Sequence, residues 1–198
     1  MSYLIPQKKH RIEEIIKRSR FIATVIHAPS PIDAKSFIAK IKEEFPDATH
    51  NCWAFVSGPP GSTAQVGMSD DGEPHGTAGR PMLNTLLHSN IGEIAVVVTR
   101  YFGGIKLGTG GLVRAYSGAV KQAIETLPVK EKIIPSHLSI IIEYSCLSPV
   151  KHLATSYEAA IVKEKYEADV SLVFELAQEN AESFHEALIN VTKVRLLL

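Results

Sequence analysis

The chain has 198 residues, enough for one or two domains with a packed core. Its 45% apolar and 21% charged content is that of a globular protein, and Lys+Arg 21 against Asp+Glu 21 leaves no net charge. That balance excludes a protein that coats nucleic acid wholesale, so any nucleic-acid contact must come from a local patch.

No stretch is long and apolar enough for a membrane span. The opening Met-Ser-Tyr-Leu-Ile-Pro-Gln-Lys-Lys-His lacks the apolar core of a signal peptide, so a cytoplasmic location without membrane partners is expected. Cys52 and Cys146 match no zinc or redox spacing and are expected as free, buried thiols.

Ser19 to His27 reads as a strand rich in β-branched and aromatic residues. Ser30, Pro31 and Asp33 form a helix start: a cap, a residue suited to the first turn, and an acid at the positive end of the dipole. Ile32, Phe37, Ile38, Ile41 and Phe45 mark its apolar face, and Pro46 stops it. His50 to Ser57 is a second strand, with His50, Cys52 and Ala54 on one face and Trp53 and Phe55 on the other. After the turn Gly58-Pro-Pro-Gly-Ser, Ala64 to Ser69 gives a short third strand and Pro81 to Ser89 a helix. Glu93 to Tyr101 is the strongest strand signal, and its unbroken Ile94–Val98 run predicts burial on both faces in mid-sheet.

A helix is predicted from Gly110 or Gly111 to about Thr126, and Val129 to Ser136 is an exit strand or linker. The pattern then changes to β-α-β-β-α with a possible last strand. Leu138–Tyr144, a helix opened by Ser148-Pro149, strands Ala160–Tyr166 and Val170–Leu176, and helix Asn180–Val191 lead to a tail at Val194–Leu198. This order fits a small ferredoxin-like domain. The expected domains are 1–134 and 135–198, divided near Pro135.

Eleven of the 13 glycines lie between Gly67 and Gly118, most of them in two blocks. The second block runs from strand through Gly103-Gly-Ile-Lys-Leu-Gly-Thr-Gly-Gly111 into a helix. The helix start at Gly108, Thr109, Gly110 and Gly111 offers unpartnered N–H groups to an anion. Arg100, Lys106, Arg114 and Lys121 surround it in sequence, and no acid occurs from Thr99 to Ile124. A phosphate of RNA, DNA or a nucleotide is the natural guest. The alternative is a tight strand–helix connection whose glycines only allow close packing. The spacing fits neither a Walker loop nor a dinucleotide fingerprint, because Val113 stands where the third glycine would be.

The first block, Gly67 to Gly79, is acidic, with Asp70, Asp71 and Glu73 set against Arg80. These carboxylates could hold a magnesium ion, pair with Arg100 or Arg114, or cap the helix opened by Pro81. The structural uses are favoured, because no second ligand cluster accompanies them, and no metal or cofactor is expected. His50, Cys52 and His75 are the raw material of a Cys–His pair, but Cys52 sits within a strand and no complete catalytic set is visible. Lys8, Lys9, Arg11, Lys17, Arg18 and Arg20 form an early basic cluster. A solvated face is the reading favoured for Lys8 and Lys9, with Arg20 pointing into the same groove as Arg100.

Four segments together resemble the IMPACT family, in its bacterial YigZ-type branch. They are Ser19-Arg-Phe-Ile22, His50-x-Cys52, Ser69-Asp-Asp-Gly-Glu-Pro74 with Gly76-Thr-Ala-Gly79, and Arg100-Tyr-Phe-Gly-Gly-Ile-Lys-Leu-Gly-Thr-Gly-Gly-Leu-Val-Arg-Ala-Tyr116. The resemblance covers nearly the whole chain. It implies an α+β fold: an N-terminal domain like ribosomal protein S5 domain 2, then a ferredoxin-like domain similar to the fifth domain of a translocating elongation factor. Eukaryotic members regulate translation by competing for the activator of a starvation-responsive kinase, with help from an extra N-terminal domain. In this chain the S5-like part begins almost at once, so the shared domain and a link to translation are what carry over.

The combined expectation is a non-enzymatic protein that binds RNA or a ribosome-associated partner. Arg100, Lys106, Arg114 and the helix start would make the contact, with Arg20 and Lys121 in lesser roles. Asp70, Asp71, Glu73, His75 and Arg80 would order the facing loop or meet a partner. The alternatives are an enzyme acting on a phosphorylated small molecule or nucleotide, and a pure protein-interaction module.

Overall fold

The computed structural model describes residues 2–191 and the backbone of 195–196. Tyr3–Glu131 forms one compact unit and the chain from Lys132 a second.

The first unit is built on a five-stranded antiparallel sheet of β2 (His10–Ile16), β3 (Ser19–His27), β4 (His50–Val56), β5 (Val66–Ser69) and β6 (Ile94–Tyr101), in the order β2-β3-β6-β4-β5. β6 is central, and Ile94 to Arg100 are all buried, as its continuous apolar run requires. Helix α1 (Pro31–Glu44) covers one face. Helices α2 (Gly79–Leu87) and α3 (Thr109–Glu125) cover the other. Alternation sends Cys52 and Ala54 to the α2/α3 side and Phe55, with half-buried Trp53, to the α1 side. Two short strands, β1 (Tyr3–Pro6) and β7 (Val129–Lys132), pair with each other.

Ser30 caps α1 by accepting from the Asp33 N–H at 3.2 Å, and Pro31 occupies the first turn. Ala34, Phe37, Ile38 and Ile41 are its buried face. Ile32, expected on that face, is 79% exposed. It lies about 200° around the helix from Ala34, because each residue turns the helix by about 100°. Helix α2 begins two residues before the predicted Pro81, and α3 begins at Thr109 rather than Gly110.

The second unit runs β8 (Pro135–Ile142), α4 (Leu147–Ser156), β9 (Ala160–Tyr166), β10 (Val170–Ala177), α5 (Ala181–Val191) and β11 (Arg195–Leu196), which is the expected element order. Its antiparallel sheet has the order β11-β8-β10-β9. Leu172, Phe174, Ile140 and Ile142 pack with Val150, Phe184 and Leu188 of the helices. Within the expected tail strand, Arg195 and Leu196 pair with β8, and the rest of that tail lies outside the described residues. Cys52 is free and buried, whereas Cys146 is free but only half-buried.

Candidate nucleic-acid interface

Strand β6 ends at Tyr101 and releases the loop that leads to α3. The Phe102 N–H donates to Thr49 Oγ1 at 3.0 Å and the Gly103 N–H to Ser19 Oγ at 3.2 Å. A Cβ on Gly103 would lie 1.9 Å from the Arg18 carbonyl oxygen, so only glycine lets the loop rest against the β2–β3 turn. That turn is Lys17-Arg18, with φ of 45° and 67°. Two residues with positive φ close a hairpin whose hand matches strand twist, and here both are cations that remain exposed.

Gly108, at φ 74°, is the N-cap of α3 and supplies no side-chain cap. The first N–H groups of the helix therefore have no acceptor within the helix. The first turn carries no acid. Two hollows flank this loop, with Leu107 lining both. One, of about 400 Å³, is lined by Lys106, Gly108 and Thr109 of the loop and helix start together with Thr49, His50, Glu73, Arg100 and Phe102. The other, of about 220 Å³, brings Lys17 of the turn beside Gly111 and Arg114 of α3. Lys17, Arg18, Lys106 and Arg114 are exposed and have no ion-pair partner among the described residues.

The predicted role of Arg100 as a free phosphate contact is corrected by its surroundings. It is 5% exposed, and its Nη1 donates to Glu73 Oε1 at 2.6 Å. Glu73 also accepts from the Tyr116 hydroxyl at 2.8 Å, with His50 Nε2 at 3.9 Å. Tyr116 is fully buried edge-on to Phe21, and burial pushes its hydroxyl pKa upward. The Arg100 guanidinium lies over the rings of Phe21 and Phe102, at 5.4 and 5.6 Å. Arg100 is thus the buried floor of the site.

Arg20 is corrected too. Strand alternation places it opposite Tyr101, on the α1 face, where it donates to Glu13 at 2.7 Å, whereas Arg100 and Phe21 share the α2/α3 face. Lys121 is exposed and within 3.9 Å of Glu125, about 18 Å along α3 from its start and so away from the loop.

The acidic block turns inward on itself. Asp70 accepts from the N–H groups of Gly76, Ala78 and Gly79 at 2.8, 3.0 and 2.8 Å, and so caps α2 from outside the helix. This explains the early start of α2. Burial alone would raise the Asp70 pKa; those N–H groups outweigh it and hold the carboxyl below its ordinary value. Asp71 takes Lys42 at 2.5 Å and the Asn51 N–H at 2.7 Å; burial opposes ionisation, and these partners again prevail. With Glu73 on Arg100, all three carboxylates have partners within the protein. His75 is fully exposed, 3.8 Å from Asp70. Arg80 is exposed on α2, beside a separate hollow of about 510 Å³ between α2 and α3. The Cys52 thiol, pushed up to about 12 chiefly by burial, donates to the Asp70 carbonyl at 3.0 Å and is no nucleophile in this state.

The family model described as the Impact N-terminal domain matches residues 17–124, a span that contains the whole site. The chain belongs to the IMPACT family. A second model, a domain of unknown function, DUF1949, matches residues 140–193. An IMPACT family member from Haemophilus influenzae is 42% identical over 99% of this chain and 95% of its own. The IMPACT family member YigZ from Escherichia coli is 41% identical over 100% of this chain and 97% of its own. A solved structure of a hypothetical protein has 41% identity and a TM-score of 0.68, covering 99% of this chain and 96% of that one. More distant relatives include mouse Protein IMPACT, 33% identical over 52% of this chain and 33% of that protein. Within this IMPACT domain, Lys17 and Arg18 form the turn beside the candidate site, and sequence reasoning placed them in the early basic cluster without a site role. The position of Lys17 beside Arg114 depends on the fit between the hairpin turn and Gly103.

Proposed function

We propose that this protein acts in translation as a non-enzymatic binder of RNA. It would grip the phosphate backbone through Lys17, Arg18, Lys106 and Arg114 around the uncapped start of α3. The observation that supports this is charge left unmatched on a neutral chain. Arg11, Arg20, Lys42 and Arg100 are each held by a carboxylate. The four proposed contacts are exposed and unpaired among the described residues, on two turns and a helix start that lie side by side. Such a surface suits a polyanion. A binding role rather than catalysis is supported by the inert Cys52 thiol and by carboxylates engaged in structural bonds. The translation setting rests on membership of the IMPACT family.

The test is binding to ribosomes and to short RNA across a salt series, for the wild type and for Lys106→Ala with Arg114→Ala. Each lost phosphate contact should reduce the salt slope by about 0.7 on single strands. Binding by the wild type that the double variant leaves unchanged, in affinity and slope, would refute this surface.

A further inference from the structure

We infer that the 400 Å³ hollow beside α3 is a subsite for one nucleoside monophosphate unit, either a free mononucleotide or the phosphorylated end of an RNA strand. The inference rests on the RNA reading only for the choice of a nucleotide over other phosphate esters. Its volume lies in the range of small-ligand sites.

One side of the hollow is suited to phosphate. Lys106 stands there with Gly108 and Thr109 at the uncapped helix start. The floor supplies a second, independent sign of a ligand. Arg100 is 5% exposed and lines the hollow, yet only one of its nitrogens makes a short hydrogen bond, to Glu73. Its Nη2 reaches Ser19 Oγ only at 3.4 Å, and its Nε has no partner among the described residues. Nε itself is closed off from the hollow, but a guanidinium has five N–H donors in a rigid fork, so the weakly held terminal nitrogens keep donor capacity at the floor.

The lining also offers a partner for a base. Phe102 is 47% exposed, and the Arg100 guanidinium holds its ring at 5.6 Å. Bases stack on such aromatic platforms without regard to sequence. His50 adds one directional group. Its Nδ1 lies 2.8 Å from the Asp71 carbonyl, which can only accept, so the Nδ1 proton is fixed there. Nε2, 3.9 Å from Glu73 Oε1, is left as the ring's second hydrogen-bonding group for an exocyclic group or a ribose hydroxyl.

The experiment is calorimetric titration of the full-length protein at low salt with AMP, GMP, CMP and UMP, adenosine, inorganic phosphate, and short single-stranded RNA with a 5′-phosphate or a 5′-hydroxyl. Two variants accompany it. Thr109→Glu places a carboxylate in the first turn of α3, which favours the helix but repels phosphate. Phe102→Ala removes the platform from an exposed position. Mononucleotides should bind at least tenfold more tightly than adenosine or inorganic phosphate. Thr109→Glu should abolish that binding, and Phe102→Ala should weaken it on the order of tenfold. A preference for 5′-phosphorylated RNA, lost in Thr109→Glu, supports the subsite and assigns it to a strand end. Mononucleotide binding without RNA binding supports the subsite and overturns the RNA reading. RNA binding that ignores the 5′-phosphate, with no mononucleotide binding, overturns the subsite and leaves the RNA reading standing. Mononucleotide binding unchanged by Thr109→Glu also overturns the subsite.

Discussion

Replacing Glu73 by Gln tests whether the floor of the site is a buried ion pair. The Glu73 side chain is 2% exposed and that of Arg100 6%, with 2.6 Å between them. Gln preserves the shape and can still accept from Tyr116, but it leaves the Arg100 guanidinium buried without a counter-charge. Removing one partner of such a pair costs about 3–5 kcal/mol, because the remaining ion keeps its desolvation penalty. With a urea slope of about 2 kcal/mol/M, the midpoint should fall by about 2 M. Trp53 is the only tryptophan, and it stacks on Phe55 in β4, so its fluorescence reports the first unit alone. The paired replacement Glu73→Gln with Arg100→Met should recover most of the loss, since no buried charge remains and Gln still accepts from the Tyr116 hydroxyl. A loss under about 1 kcal/mol for Glu73→Gln would show that water already screens the pair, and the description of Arg100 as a buried floor would fall. The same reasoning makes Arg100→Ala a poor probe of RNA binding, because lost binding would be confounded with lost folding.

The other predictions concern the two glycine-rich segments. Asp70→Ala should cost about 2 kcal/mol by chemical unfolding, as loss of a cap for α2, and a change below about 0.5 kcal/mol would contradict the capping role. The Asp70 carboxyl is held below its ordinary value of 3.8, so its contribution is complete above that pH and disappears as pH falls through the lower folded-state value. The stability difference between wild type and Asp70→Asn should therefore shrink on acidification below about 4; a difference that grows there would reverse the sign of the linkage. Gly103→Ala brings a methyl to 1.9 Å from a backbone oxygen and should cost about 3 kcal/mol or prevent folding, whereas a neutral result would separate the loop from the β2–β3 turn. Lys17→Ala with Arg18→Ala should lower RNA affinity and the salt slope with little change in thermal stability, and an unchanged slope would remove the turn from the interface.

Where local physics dominates, the sequence was readable. The apolar run of β6 announced a central strand, Ser30-Pro31 announced α1, and the second unit appeared in its element order. Strand β2 was missed because its inward positions, His10, Ile12, Glu14 and Ile16, are only half-buried and half of them polar. Its Lys17-Arg18 turn has neither the glycine nor the asparagine that usually marks such a hairpin. Arg100 was read two ways, as a phosphate contact and as a partner of the acidic block. The second holds, through Glu73, 27 positions away, and sequence alone does not show how deeply that pair is buried. Arg20 could have been placed by alternation with Phe21, but the face that Phe21 takes is set by packing against Tyr116 of α3.

The division of charge between the two glycine-rich segments explains how a neutral chain presents a local positive surface. Each acid of the first block is drawn inward: Asp70 by the backbone start of α2, Asp71 by Lys42 and the Asn51 N–H, and Glu73 by Arg100 and Tyr116. Their carboxylates are thereby engaged by fixed donors within the protein, and none pairs with Lys106 or Arg114. In the second block no acid is present to do the same, and the helix start adds its own partial positive charge. Arg100 is the link between the two, a cation spent on holding the acidic loop against the floor of the basic one. A substitution that freed Glu73 would therefore act on binding from inside the protein, by returning a carboxylate to the hollow where a phosphate is proposed to sit.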